Sequence, residues 1–511
     1  MRAIIGASVQ IRGVMKQSMK RVHTKIIGRR EEQHILQQIL HSKKAEFLAL
    51  YGRRRIGKTF LIKNFFAQNS CTFFHVTGIQ NGTMEEQLKR FAEQMSMSFF
   101  GGAPILAQKT WLDTFDILTK AMEKLSLSSK IVLFFDELPW MATKRSRLLQ
   151  AIEYYWNRYW NHDPRIKLII CGSSASWIIE KIINNTKGLY NRVTQTMRLN
   201  PFTLLETEKF LDHLKVPLNR RQILDVYMAI GGIPHYLEKI GQMRRGFSAQ
   251  QYINELCFRR DGALVNEFEP LFASLFENVE IYIGLIRMIA KLRSGISQAQ
   301  ITRKRGFSSG GRVIYRLKQL EEAGFIMSFV PHGNQKKGTF YKIIDEYTLF
   351  YLDWVEPHLT SIRQQGKNSR FWPSKAQSPG WKSWAGLAFE AVCNKHISQI
   401  IETLDVDPGS EIGSWRYVPR SQEHLRGTQI DLLFDQPDGV ITLCEIKYSD
   451  KSFVIDKDYA QNLEAKVKIY RQQTRTKKQI YLAMITTIGL KPSKHSEELI
   501  AQEVTLDDLF Q

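Results

Sequence analysis

The sequence predicts an α/β protein built on a parallel sheet, and three observations carry that prediction. Residues 26–200 alternate short, nearly all-apolar runs with amphipathic stretches at helical spacing. The runs at 47–51, 72–76, 131–135 and 167–171 are apolar at almost every position, as strands covered on both faces must be. A glycine-rich segment, GRRRIGKT at 52–59, lies between the first run and a helical stretch, and IVLFFDE at 131–137 ends a later run on two acids.

The other elements follow in chain order. Residues 1–25 carry six cations without a continuous apolar core and read as a loose basic leader rather than a signal peptide. After the 26–200 core, residues 201–279 turn helical, punctuated by Gly231-Gly232-Ile233-Pro234. Residues 280–358 read as three helices and a hairpin, and the polar, Trp-bearing 359–380 stretch as a linker. Residues 381–511 open on a helix at 381–404. Strands at 429–434 and 440–447, a helix near 457–473 and a strand at 479–485 follow.

Composition narrows the classes. A chain of 511 residues has room for about three domains. Its formal net charge of +22 fits a polyanionic partner, nucleic acid first; a host whose proteins run basic is the other reading. The five cysteines form no CxxC pair, so neither a zinc site nor a disulfide framework is indicated. Cys171 and Cys444 lie in apolar runs and read as reduced core residues. No apolar stretch approaches the length that spans a bilayer, and the expected compartment is the cytoplasm.

The glycine-rich segment has the order a phosphate cradle needs. Gly52 and Gly57 let backbone N–H groups turn inward across Arg53, Arg54, Arg55 and Ile56, and the following helix adds its dipole. Lys58 reaches phosphate oxygens, and the Thr59 hydroxyl is a magnesium ligand. Asp136 belongs to the same magnesium shell, and Glu137 is placed to polarise the attacking water. ATP and Mg2+ are therefore the expected cofactors. The arginine run reads as a solvated or nucleic-acid-facing loop rather than as catalytic groups.

At this point the chain resembles the AAA+/STAND group of P-loop ATPases, and within it the archaeal-type ATPases also found in bacteria. IIGRREEQ at 26–33 is similar to the box that opens such domains, which places Gly28 and Arg29 near the adenine. KLIICGSSASW at 167–177 resembles the sensor 1 strand, offering Ser173 or Ser174 near the γ-phosphate. LYNRVTQTMRLNPF at 189–202 resembles the segment that carries a trans-acting arginine, and Arg192 fits, with a plain surface arginine as the alternative. A finger acting in trans implies a homo-oligomer or a partner protein. GGIPHYL at 231–237 is similar to the lid motif, although a helix-capping turn uses Gly and Pro equally well.

Residues 280–358 look like a winged helix. Val313, Leu317 and Leu320 share one face of its third helix, with Arg312, Arg316 and Lys318 elsewhere. The hairpin tip holds His332, Lys336 and Lys337. DNA contact and a packing, nucleotide-sensing role are both open. In the last third, Glu390 on a helix, Asp431 entering a strand and Glu445-Ile446-Lys447 on the next have the order of the PD-(D/E)XK restriction-endonuclease-like core. Asp431 and Glu445, completed by Glu390, are the expected metal ligands, and Lys447 would orient the attacking water. Strand alternation puts Glu445 and Lys447 on one face. The expectation is an ATP-hydrolysing, DNA-directed protein with a metal-dependent nuclease domain. The rivals are a nucleotide-switch signalling ATPase with an inactive nuclease-like module and an ATP-gated transcriptional regulator.

Overall fold

The computed structural model describes residues 25–511 apart from 186–187, 190, 294, 305–309, 333–337, 365–369, 418 and 420–426. The basic leader up to residue 24 and the hairpin-tip residues Lys336 and Lys337 therefore lie outside the described residues. The chain groups into two compact units. The first holds the described residues up to Ala49, then Lys58–Cys171 and Lys187–Thr196; the second holds Leu50–Gly57, Gly172–Thr186 and Met197–Gln511.

The sheet of the first unit is formed by β1 (Glu46–Tyr51), β2 (Thr72–Thr77), β3 (Ile131–Asp136), β4 (Ile166–Gly172) and β5 (Gln195–Arg198), in the order β2-β3-β4-β1-β5. β2, β3 and β4 pair in parallel, and every residue of β3 and β4 is buried. That total burial explains why their runs are apolar apart from Lys167 and Asp136. Phe74, Phe91, Phe115 and Phe135 interlock beside β3, with ring centroids 5.0–6.2 Å apart. Each ring removed from water contributes roughly 1.5–3 kcal/mol.

The second unit carries two further sheets. β6 (Ile296–Ser297), β7 (Ile326–Phe329) and β8 (Phe340–Ile343) pair antiparallel in the order β6-β8-β7, with helices Val279–Ala290, Gln298–Thr302 and Gly310–Glu322 beside them in sequence. The other sheet is formed by β9 (Glu411–Tyr417), β10 (Thr428–Asp435), β11 (Val440–Lys447), β12 (Gln479–Thr486) and β13 (Ile500–Val504), in the order β13-β12-β11-β10-β9. β10 pairs antiparallel with both β9 and β11, whereas β12 pairs in parallel with both β11 and β13.

Two expectations need correction. The 359–380 stretch is not a bare linker: it contains helices Leu359–Gln364 and Phe371–Lys375, and Trp372 is fully buried. The Trp372 ring stacks on Phe258 at 4.9 Å, and its N–H groups donate to Asn254 and Gln250. The helix expected at 381–404 is two, Pro379–Lys395 and Ile397–Thr403, parted at His396. The His396 Nδ1–H donates to the Val392 carbonyl, while Nε2 accepts from the Leu204 N–H at 3.0 Å. A break there lets one neutral imidazole cap a second helix, Leu204–His213.

Candidate functional site

Two constellations concentrate the chemistry. The first begins with a loop whose backbone few residues tolerate. Gly52, Arg55 and Gly57 have φ of 147°, 71° and 91°. A Cβ at Gly52 would lie 2.3 Å from the Leu199 carbonyl oxygen, so only glycine fits. Helix Lys58–Ala67 follows, with Lys58 buried at its first position.

Thr59 Oγ1 donates to Asp136 Oδ2 at 2.9 Å, joining the helix start to the end of β3. Two groups from β2 meet the same oxygen: Thr77 Oγ1 donates at 3.3 Å, and His75 Nε2 stands 3.6 Å away. Sequence reasoning missed both. The available signal was a pair of polar residues two apart in an apolar strand, hence on one face, with Thr77 in register beside Asp136. Burial pushes the Asp136 carboxyl up, but the hydrogen bonds from His75 and Thr59 outweigh it and hold it below its ordinary value. Asp136 Oδ1 is buried and, among the described residues, accepts from no N–H or O–H. An ionised carboxylate with one saturated and one orphaned oxygen, beside a hydroxyl, is a donor set suited to magnesium.

Glu137 turns off β3 in the left-handed region at φ 51°, a conformation that non-glycine residues adopt rarely and often at functional sites. Gly28 and Arg29 are also left-handed, and the Gln33 amide donates to the Gly28 carbonyl at 2.8 Å, fixing the turn before helix Arg30–His41. Arg29 is buried, with its guanidinium 3.3 Å from Glu32. Ser173 is buried just beyond β4, and Arg192 is exposed in a turn.

The arginine run departs from expectation. Arg53 is buried and ion-paired with Asp345, and Arg55 is ion-paired with Glu267; Arg54 is half-buried. The reading of this run as a solvated or nucleic-acid-facing loop is therefore wrong for Arg53 and Arg55. Their carboxylate partners stand more than two hundred positions away, beyond any local pattern.

In the same unit, Gly231 closes helix Arg220–Ile230 at φ 67°, and Pro234 starts the next helix, so the GGIP segment does cap helices. Side chains would not fit at either glycine. A Cβ at Gly231 would stand 2.8 Å from Glu346 Oε2, and one at Gly232 would stand 2.0 Å from the Phe202 carbonyl oxygen. On helix Gly310–Glu322, Tyr315 donates to Glu180, and Arg312 and Arg316 line a cavity of about 450 Å³ with Ser174 and Trp177.

The second constellation gathers Glu390, Asp431, Glu445 and Lys447. β10 carries a register shift between Ile430 and Leu433, and both of these residues join one apolar cluster, leaving Asp431 at the irregularity. Bulges of this kind re-aim a side chain next to a site. Asp431 Oδ2 accepts from the Ile446 N–H at 3.2 Å, tying it to β11 between Glu445 and Lys447. Glu445 is engaged on both oxygens: Lys447 Nζ lies 2.9 Å and Lys466 Nζ 2.6 Å away, and the Tyr459 hydroxyl donates at 2.9 Å. Lys466 and Tyr459 lie seven apart on helix Lys457–Thr474, two helical turns on one face. That spacing was available in the sequence, but nothing there tied it to β11.

The electrostatics are those of carboxylates crowded away from water. Burial, then repulsion from Asp431, raises Glu390 to about 8. Burial and Glu445 raise Asp431, whereas Lys447 and Lys466 more than offset burial and hold Glu445 below its ordinary value. A third cation, Lys342 from β8, lines a cavity of about 110 Å³ together with Glu390, Asp431 and Gln429. Burial lowers the Lys342 pKa, and Glu390 and Asp431 oppose that. Glu390 and Asp431 offer hard oxygen donors of the kind a divalent cation takes, whereas both Glu445 oxygens are already engaged by lysines and Tyr459.

Comparison with known proteins places the first constellation. Residues 27–240 match the family described as an ATPase domain predominantly from Archaea. Residues 27–240 are thus similar to an archaeal-type ATPase domain, which supports ATP binding and hydrolysis. It is 25% identical over 462 residues to the uncharacterized protein MJECL04 of Methanocaldococcus jannaschii, covering 89% of this chain and 92% of the relative. A 39-residue stretch is 49% identical to the uncharacterized ATP-binding protein MJ0423 of that organism, covering 8% of this chain and 66% of the relative. Among solved structures, the Walker-type ATPase PABY2304 of Pyrococcus abyssi is similar at TM-score 0.47 and 19% identity, over 64% of this chain and 96% of that one. The Aeropyrum pernix ORC2 protein gives a TM-score of 0.41 at 15% identity, over 68% and 98%. No helix among the described residues is long and apolar enough to cross a membrane.

Proposed function

We propose that the protein is an ATP-hydrolysing, DNA-directed enzyme whose C-terminal sheet carries a divalent-metal-dependent nuclease site. The observation that carries the reading is that Glu390 and Asp431 line one cavity, while Asp431 accepts from the β11 N–H between the buried Glu445 and Lys447, with Lys466 on Glu445. Burying that much like charge is costly unless a function keeps it. Asp431, Glu445 and Glu390 would hold magnesium, which supplies polarisation of a phosphate and of its bound water. Lys447 and Lys466 keep Glu445 ionised and present positive charge where it builds on a cleaved phosphodiester. In the nucleotide site, Thr59 and Asp136 would hold a second magnesium. Glu137 is the water-polarising group, and the backbone of Gly52–Gly57 with Lys58 receives the phosphates. Arg192 acts from a neighbouring copy or partner.

One observation favours the switch-ATPase reading, in which the C-terminal sheet only binds. Both oxygens of Glu445 are taken by Lys447, Lys466 and Tyr459, and Lys342 faces Glu390 and Asp431, so cations of the chain stand where a metal would. The two readings separate in one assay. Cleavage of plasmid and single-stranded DNA is followed with magnesium or manganese, with and without ATP, for the parent, Asp431→Ala and Lys58→Ala. The enzyme reading expects cleavage lost in Asp431→Ala with ATP turnover intact. Absence of cleavage under every condition, with ATP turnover retained, would leave the switch reading.

A further inference from the structure

The P-loop is held by carboxylates far from it in sequence. Of its residues 52–57, three take positive φ, and one of these is Arg55, for which that region is unfavourable. Such a backbone persists where its surroundings over-determine it. The surroundings are two ion pairs, Arg53 with Asp345 and Arg55 with Glu267.

Both acids are immobilised before the arginines reach them. Asp345 caps helix Glu346–Phe350: its Oδ2 accepts from the Thr348 N–H at 3.0 Å and from the Thr348 hydroxyl at 2.6 Å. Only 1% of Asp345 is exposed. Glu267 is buried and accepts from the Tyr236 hydroxyl at 3.1 Å. The Arg53 guanidinium also lies 5.1 Å from the Phe325 ring centroid. The anchor is thus a fitted socket rather than a chance surface pair, and planar guanidinium groups suit it better than lysines would.

We infer that Asp345 and Glu267 are positioning residues of the nucleotide site, holding the phosphate cradle in its binding geometry through Arg53 and Arg55. The division of labour follows from charge. Two of the three motif arginines are committed to carboxylates, which leaves backbone N–H groups, Lys58 and Arg54 to meet the phosphates. Asp345 adjoins Glu346, which is 2.7 Å from Lys395 Nζ, so the anchor sits within a wider buried ionic cluster. The inference rests on the ATP-binding reading.

The test measures, for the full chain, affinity for a fluorescent non-hydrolysed ATP analogue and steady-state ATP turnover. The variants are Asp345→Asn, Asp345→Glu, Glu267→Gln, and the cycle of Arg53→Met with Asp345→Leu. Lys58→Ala must first abolish binding; if it does not, the ATP reading itself has failed. Given that, Asp345→Asn is expected to weaken analogue binding about tenfold and Asp345→Glu to recover part of it, in the range of coupling between contacting groups. Glu267→Gln, whose partner Arg55 is about a third exposed, is expected to fold and to weaken binding about threefold. The arginine–aspartate cycle should show the same coupling in affinity. Folded Asp345→Asn and Glu267→Gln proteins that bind and turn over ATP within about twofold of the parent would overturn the assignment. So would coupling visible in melting temperature alone. If Asp345→Asn does not fold, Glu267→Gln decides.

Discussion

The carboxylates of the two constellations are held in opposite ways. Asp136 is held below its ordinary value by hydrogen bonds from His75 and Thr59, with Thr77 on the same oxygen, and retains one orphaned buried oxygen. Glu445 is kept ionised by two lysines and a tyrosine that occupy both of its oxygens, while Glu390 and Asp431 are pushed toward protonation. On the proposed reading, the first arrangement is ready for a cation, and the second would exchange its own cations for one. The difference lies in where compensating charge comes from: hydrogen-bond dipoles leave a ligand position open, whereas a lysine closes it until something displaces it.

The largest expected effect breaks the first half of this comparison. Asp136→Asn keeps the shape of the carboxylate and removes the charge that would hold magnesium. ATP turnover should fall by about 10²–10³-fold, measured as phosphate release at saturating ATP, as for loss of a charge-stabilising group at a reacting centre. Turnover within about threefold of the parent would remove Asp136 from that role. A smaller effect sharpens the second half. Lys466→Met leaves Glu445 with Lys447 and Tyr459, so DNA cleavage should fall by about 10-fold, on the scale of a single charge-assisted contact, while ATP turnover stays unchanged. An equal fall in both activities would mean that Lys466 serves folding instead.

A still subtler effect concerns stability and separates the charged clusters from the neutral core. His396 is buried, accepts at Nε2 and has its pKa lowered to about 4 by burial, so the folded state holds it neutral. The unfolded chain takes up that proton below its ordinary value of 6.5. Stability from this residue is therefore full above pH 6.5, declines as pH falls toward 4, and is level below that. The shift corresponds to about 3 kcal/mol at most. Denaturant melts of the parent at pH 7.5 and 4.5 should differ by more than those of His396→Gln. Equal pH dependence in the two proteins would show that the imidazole is not held neutral.

Much of the first constellation was legible because its signals are local. Gly52 to Thr59 are contiguous, and Asp136 ends a fully buried strand whose apolar run the sequence displays. His75 and Thr77 lay within reach of the same reasoning, as an alternating polar pair on β2. The anchors of Arg53 and Arg55 were not legible, because Asp345 and Glu267 come from distant elements and a charge carries no address for its partner. The same holds for Lys342 and Lys466 around Asp431 and Glu445, where β8 and helix Lys457–Thr474 supply cations that only tertiary packing brings in. Trp372 misled for the reverse reason. Its neighbours are polar, so the segment read as linker, although the ring itself is fully buried.

The measurement that tests the account most directly is manganese binding to the full chain, followed by calorimetry with and without the non-hydrolysed ATP analogue. It compares the parent with Asp136→Asn and Asp431→Asn. Two classes of site are predicted: one that needs nucleotide and disappears in Asp136→Asn, and a weaker one, indifferent to nucleotide, that disappears in Asp431→Asn. A single class, or loss of both in either variant, would contradict the existence of two separately built metal sites.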